Sequence, residues 1–247
     1  MEIEQLDILL RLLVAHLLAD FVFQTDKIVD KKKKGLNSKY FYLHISIVGL
    51  LTYLFLAEWT NWWAPILMMV MHTITDLLKT RIKSNNALIY LVDQLLHFVT
   101  ILILWILLTN NSIFSVWNEL KEITISEKML LIIIGYLLVM IPVSVLIGYM
   151  TQKWQKEMNN KNNESLTNAG KWIGIIERIL IFTFILIKQW PAIGFLIAAK
   201  SVFRFGELKE GKERKKTEYI LIGTLLSFTF AIIVGILIYS VLLNYNI

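Results

Sequence analysis

Residues 129–150 read MLLIIIGYLLVMIPVSVLIGYM, apolar on every face of any helix they could form. A soluble helix keeps a polar face for water, so a segment apolar all round belongs in a protein core or a bilayer. Similar runs of about 20 residues recur along the 247-residue chain, the length an α-helix needs to cross a hydrocarbon core of about 30 Å. Charged residues make up only 18%, below the roughly 25% usual for soluble domains. The expected fold class is all-α: a polytopic transmembrane helix bundle. Eight spans are expected, at about 6–24, 39–58, 62–79, 87–108, 129–150, 171–189, 191–206 and 218–243. Only Lys188 to Pro191 separate the sixth and seventh, which read as a helical hairpin or a re-entrant pair. The opening MEIEQLDILL lacks the basic start and small-residue cleavage site of a signal peptide, so the first apolar segment reads as a permanent helix.

Basic residues alternate between the connections. Lys and Arg number six in 25–39, three in 79–86, four in 151–171 and seven in 200–217. There are none in 59–61, two in 109–128 and one in the turn between the sixth and seventh spans. Basic loops stay in the cytoplasm, which puts both termini outside and the protein in the cell inner membrane, multi-pass. Topology thus accounts for the net charge of +6 without nucleic acid, and the lipid bilayer is the expected partner. With no cysteine, the chain can hold neither a disulfide nor a thiolate site. The Asn-rich stretch 151–170 reads as a polar linker between a five-span half, 1–150, and a three-span half, 171–247.

Polar residues inside such spans are the functional signal. The four histidines, His16, His44, His72 and His97, fall one each in the first four spans. Three belong to an i, i+4 pair with aspartate: His16 with Asp20, His72 with Asp76, and Asp93 with His97. Four residues apart on a helix means one face, a turn along, and Gln24 continues the first face. Under the alternating topology, all seven groups fall in roughly the inner half of the bilayer, at about 1.5 Å of rise per residue. Three carboxylates and four imidazoles satisfy one another poorly in hydrocarbon. A divalent transition metal, Zn²⁺ or Mn²⁺, would take both donor types, with room for two ions or for some residues to orient others. A proton or ion pathway, and plain polar packing, are the competing readings.

A second polar set lies in GKWIGIIERILIF and IGFLIAAKSVFRF. Arg178, Lys200 and Arg204 have the chemistry to hold a phosphate; the alternative is that Lys200 and Arg204 snorkel to the interface while Glu177 and Arg178 pair with them.

The combination of HLLADFVFQTDKIVDKK, the Leu43–His44 pair, HTITDLLK, LVDQLLH, GKWIGIIERILI, AAKSVFRF and EYILIGTLLS resembles an uncharacterised bacterial family of multi-pass membrane proteins, domain of unknown function number 3307. The resemblance runs over essentially the whole chain and brings no catalytic assignment. The His/Asp helices are also distantly similar to the predicted membrane-bound metal-dependent hydrolases of bacteria, which implies a metal-assisted hydrolase.

The leading expectation is therefore a metal-dependent hydrolase of the membrane. His16, Asp20, His44, His72, Asp76, Asp93 and His97 are its candidate metal ligands, and Asp20 or Asp93 its general base. Gln24, Arg178, Lys200 and Arg204 are its candidate substrate-binding residues, and a lipid-linked phosphoester its substrate. The runner-up is a transporter or channel using the same cluster for a metal ion or proton. It asks for polar groups continuing outward, where VGLLTYLFLAE and ILILWILL offer almost none. A third reading is a non-catalytic membrane protein whose loops recruit a soluble partner.

Overall fold

The computed structural model describes residues 5–32, 35–82, 86–109, 124–158, 169–205 and 214–243. Among them every regular element is helical. α1 (Gln5–Leu17) continues as a π-helical segment, Leu18–Val22. There follow α2 (Asp26–Lys32), a 3₁₀ turn at Gly35–Asn37, α3 (Lys39–Leu56), α4 (Trp63–Thr80) and α5 (Ala87–Thr109). Beyond them lie α6 (Ile125–Met140), α7 (Pro142–Met158), α8 (Ala169–Leu186), α9 (Trp190–Phe205) and α10 (Arg214–Leu243).

Local chemistry sets these limits. Each of the three prolines stands in the first turn of a helix, Pro65 in α4, Pro142 in α7 and Pro191 in α9, where its missing N–H would have had no intrahelical partner. α3 ends on Ala57, left-handed at φ 56°, whose N–H bonds the Tyr53 carbonyl. α8 ends on Lys188, also left-handed at φ 61°, with Gln189 N–H returning to the Phe184 carbonyl at 2.8 Å.

The chain divides into two compact units, residues 1–137 with 242–247, and residues 138–241. The boundary falls inside the fifth expected span rather than in the polar stretch 151–170. That stretch begins as helix, since α7 runs to Met158, and 159–168 lies outside the described residues.

In the first unit α1 packs on α3 and α5, α3 on α4, and α4 on α5. Leu12, Ala15, Val48, Leu56, Ala64, Met68, Ile101, Leu104 and Trp105 form its apolar core. α3 approaches α4 so closely at Gly49 that a methyl group there would run into the side chain of Met69. In the second unit Ile181, Ile185, Ile193, Phe228 and Ala231 form a smaller core. There Pro142 breaks the apolar run at Ile141, and Arg178 binds the carbonyls beside the break. Its Nε donates to Val139 O at 2.5 Å, Nη2 to Met140 O at 3.1 Å and Nη1 to Ser227 Oγ at 3.0 Å.

Among the described residues, four stretches are long and apolar enough to cross a membrane: Lys39–Leu56, Ala87–Thr109, Ser126–Gln155 and Thr217–Leu243. Helices also stand at the other expected spans, but they carry more charge or are shorter. α1 holds Asp7 and Arg11, α4 holds Asp76 and Lys79, α8 holds Lys171, Glu177 and Arg178, and α9 has 16 residues. Arg11, which the sequence leaves without a reason, pairs with Asp7 one turn back at 2.5 Å.

Candidate metal centre

Four helices of the first unit bring the seven His and Asp side chains into one buried cluster. α1 and its π extension supply His16 and Asp20, α3 His44, α4 His72 and Asp76, and α5 Asp93 and His97. The π segment explains how three polar residues of one stretch of chain share a face. A four-residue step overshoots a full turn of α-helix, while a wider π turn undershoots it. Mixing the two keeps His16, Asp20 and Gln24 in line.

His44 and His72, both at 0% exposure, meet Nε2 to Nε2 at 3.0 Å. Asp20 Oδ1 lies 3.4 Å from each of these nitrogens. Asp76 Oδ2 lies 3.7 Å from the first and 3.8 Å from the second. Donors held at about 2.0–2.1 Å by a tetrahedral ion stand about 3.3–3.4 Å apart, and these spacings straddle that value.

Hydrogen bonding alone does not satisfy the arrangement. An imidazole Nε2 offers one proton or one lone pair, yet His44 Nε2 has Gln24 Nε2 at 3.0 Å as well as His72 and Asp20 around it. Asp20 Oδ1 and the Nδ1 atoms of His16, His44 and His72 are buried without a hydrogen-bond partner among the described residues. Native proteins leave few such atoms unpaired. His97 is oriented differently. Its Nδ1 donates to the Asp93 carbonyl at 2.8 Å, which leaves Nε2 as a lone pair, 3.1 Å from Thr75 Oγ1 and 4.0 Å from Asp76 Oδ1. Thr75 Oγ1 also lies 2.9 Å from the His72 carbonyl, so its single proton is divided between that oxygen and His97 Nε2. The four rings are close-set, with centroids 4.3 Å apart for His72 and His97 and 5.2 Å for His16 and His97.

Two lysines complete the cluster, and sequence reasoning passes over both. Lys32 Nζ lies 3.1 and 3.0 Å from the two oxygens of Asp76 and is itself buried. Lys79 Nζ lies 2.5 Å from Asp93 Oδ2, which also accepts from Gln94. Lys79 sits seven residues after His72 and three after Asp76, on the face already singled out, so its signal is present in the spacing. Lys32 belongs to a run of four lysines that membrane topology explains just as well.

Arg178, Lys200 and Arg204, expected to hold a phosphate, belong to the second unit. Arg178 has its donors on two carbonyls and a serine, and Lys200 is ion-paired with Glu177. The expected pairing of these four thus holds for Lys200 and Glu177, while Arg178 serves the broken helix instead. Of Arg204 only the backbone is described, in the last turn of α9.

The family comparison bears on this same stretch. Residues 8–126 match the family model described as a protein of unknown function, DUF3307. That segment, just under half of the 247-residue chain, is similar to the DUF3307 family. The match ends at residue 126, so the likeness expected over the whole chain is found over its first part. The matched segment contains all four histidines, Asp20, Asp76, Asp93, Lys32 and Lys79. No curated protein and no solved structure matches the chain.

Proposed function

We propose that the chain is a metal-dependent hydrolase of the cell inner membrane, its metal centre opening toward the cytoplasm. The observation that carries this reading is the pair His44 Nε2 and His72 Nε2, 3.0 Å apart, with Asp20 Oδ1 3.4 Å from each and Asp76 Oδ2 at 3.7 and 3.8 Å. His16 with Asp20 and His72, and Asp93 and His97 with Asp76, form two further sets whose ligand atoms lie within 4.8 Å of one another, close enough to hold a second ion or to orient the first set. A metal bound there would acidify a water molecule and polarise a scissile bond. Asp20 or Asp93, the latter held by Lys79 and Gln94, would take the proton of that water. A phosphoester, lipid-linked, remains the substrate that suits a site in this setting.

The same helices support a one-sided site over a transport path. Beyond the cluster, Leu12, Ala15, Met68, Ile101, Leu104 and Trp105 fill the space between α1, α3, α4 and α5. Access lies on the other side, where Gln24 is half-buried and the Lys79 side chain is 34% exposed.

Protein purified without chelator and without a histidine tag should carry about one or two transition-metal ions per chain by elemental analysis. A His44→Ala, His72→Ala double variant should carry none, and undiminished loading in it would refute the assignment. The orientation has a separate test. The chain has no cysteine, so Lys39→Cys places a single thiol at an exposed position on the basic side. It should resist an impermeant thiol reagent in intact cells and react after lysis. Labelling in intact cells would invert the eight-span topology with both termini outside.

A further inference from the structure

Lys32 is an unusual residue to find in a buried cluster. It comes from α2, a seven-residue helix in the connection between α1 and α3, yet it holds an aspartate 44 positions away by both oxygens. One of those oxygens, Asp76 Oδ2, also faces the Nε2 atoms of His44 and His72. The ammonium and the candidate metal position therefore compete for one carboxylate. Asp93 is in the same situation: Lys79 takes Oδ2, while Asp76, Asp93 and His97 together form a further candidate set.

The arrival of a cation would change the balance of charge in the cluster. Asp20, Asp76 and Asp93 face Lys32 and Lys79, with Asp20 the carboxylate that has no ammonium against it among the described residues. With neutral imidazoles the cluster is one positive charge short. A single divalent ion turns that deficit into an excess of one, and a second ion enlarges it. Uncompensated positive charge in a buried site is costly, and the two ammonium groups are what a metal would deprive of their counter-ions. An anion entering from water restores the balance. A phosphate group suits it, because its several oxygens can meet two ammonium donors and a metal together.

We propose that Lys32 and Lys79 are an oxyanion-binding pair, masked by Asp76 and Asp93 until a divalent cation takes those carboxylates. The ligand class is a phosphate group, of a phosphoester substrate or of the phosphate it releases. This rests on the metal reading above and adds to it two residues and an order of events: cation first, anion second.

The test uses full-length protein in phosphatidylcholine nanodiscs, Mn²⁺ as the metal and inorganic phosphate as the anion, both followed by calorimetry. Wild type should bind phosphate only after Mn²⁺. A Lys32→Gln, Lys79→Gln double variant should bind Mn²⁺ about tenfold more tightly, its competitors removed, and phosphate at least about tenfold more weakly. Lys32→Arg with Lys79→Arg should keep phosphate binding. If the double glutamine variant does not fold, Lys79→Gln alone serves, since that side chain is partly exposed. A purely structural role predicts weaker Mn²⁺ binding in the glutamine variants, and that result overturns the proposal. Phosphate binding unchanged by the substitutions overturns it as well. Wild type that binds no Mn²⁺ sinks the metal reading itself and this inference with it, whereas Mn²⁺ binding without phosphate binding sinks this inference alone. Adding phosphatidic acid to the bilayer then locates the anion's source. Displacement of inorganic phosphate marks a lipid headgroup, and its persistence marks a water-soluble phosphate compound. Both outcomes uphold the lysine pair.

Discussion

Asp76→Ala should destabilise the metal-free protein by about 3–5 kcal/mol, the usual cost of breaking a buried ion pair from one side. The substitution deprives the buried Lys32 ammonium of both carboxylate oxygens it holds. Because Lys32 reaches in from the short helix α2, the protein has one way to relieve the strain, which is to let α2 leave its place against α3. Urea unfolding in detergent, followed by tryptophan fluorescence, measures the loss. Protection of α2 amides in hydrogen exchange should fall with it. Lys32→Met added to Asp76→Ala should recover more than half of the stability, since the stranded charge goes too. A loss below about 1 kcal/mol would mean that the Lys32–Asp76 contact is a solvated surface pair in practice.

Arg178→Ala should have the second largest effect, with a different origin. The guanidinium fork satisfies two backbone carbonyls at the break before Pro142 and one serine on α10. Removing it leaves buried acceptors unmet, at about 1–3 kcal/mol for each group that finds no other donor. Arg178→Lys should recover little, because one ammonium on a flexible stem cannot reach three acceptors set out for a planar fork. The same unfolding experiment checks this. Full rescue by lysine would show that charge, rather than fork geometry, is what α6 and α7 require.

Much of the site could be read from the chain because helical spacing and topology are both written locally. His16 with Asp20, His72 with Asp76 and Asp93 with His97 are each four residues apart. The alternation of basic loops leads to the expectation that they lie at one depth with His44, and the structure brings all seven side chains together. Neither step needs knowledge of packing. What could not be read is what depends on long-range partners. Lys32 looks the same in sequence as the lysines beside it, and only the docking of α2 selects it. The donors of Arg178 go to carbonyls that became available because of a proline 36 positions earlier, a relation with no sequence period. The π turn after Leu17 leaves no compositional trace, although it keeps Asp20 and Gln24 on the face of His16. Composition changes most in the polar stretch 151–170, which is why a unit boundary is expected there, but compactness changes within the kinked apolar run instead.

The placing of His72, Asp76 and Lys79 on α4 also bears on how such a protein is made. As it emerges from the ribosome, α4 carries a histidine, an aspartate and a lysine that have no partner on their own helix to settle all their charge. Its carboxylate acquires a counter-charge only if the segment carrying Lys32, synthesised earlier, is already waiting beside α1 and α3. Assembly of the first unit is thus ordered by translation: α1, α2 and α3 precede α4 and form the cradle it packs into, and a chain lacking residues 26–32 should accumulate to a lower level.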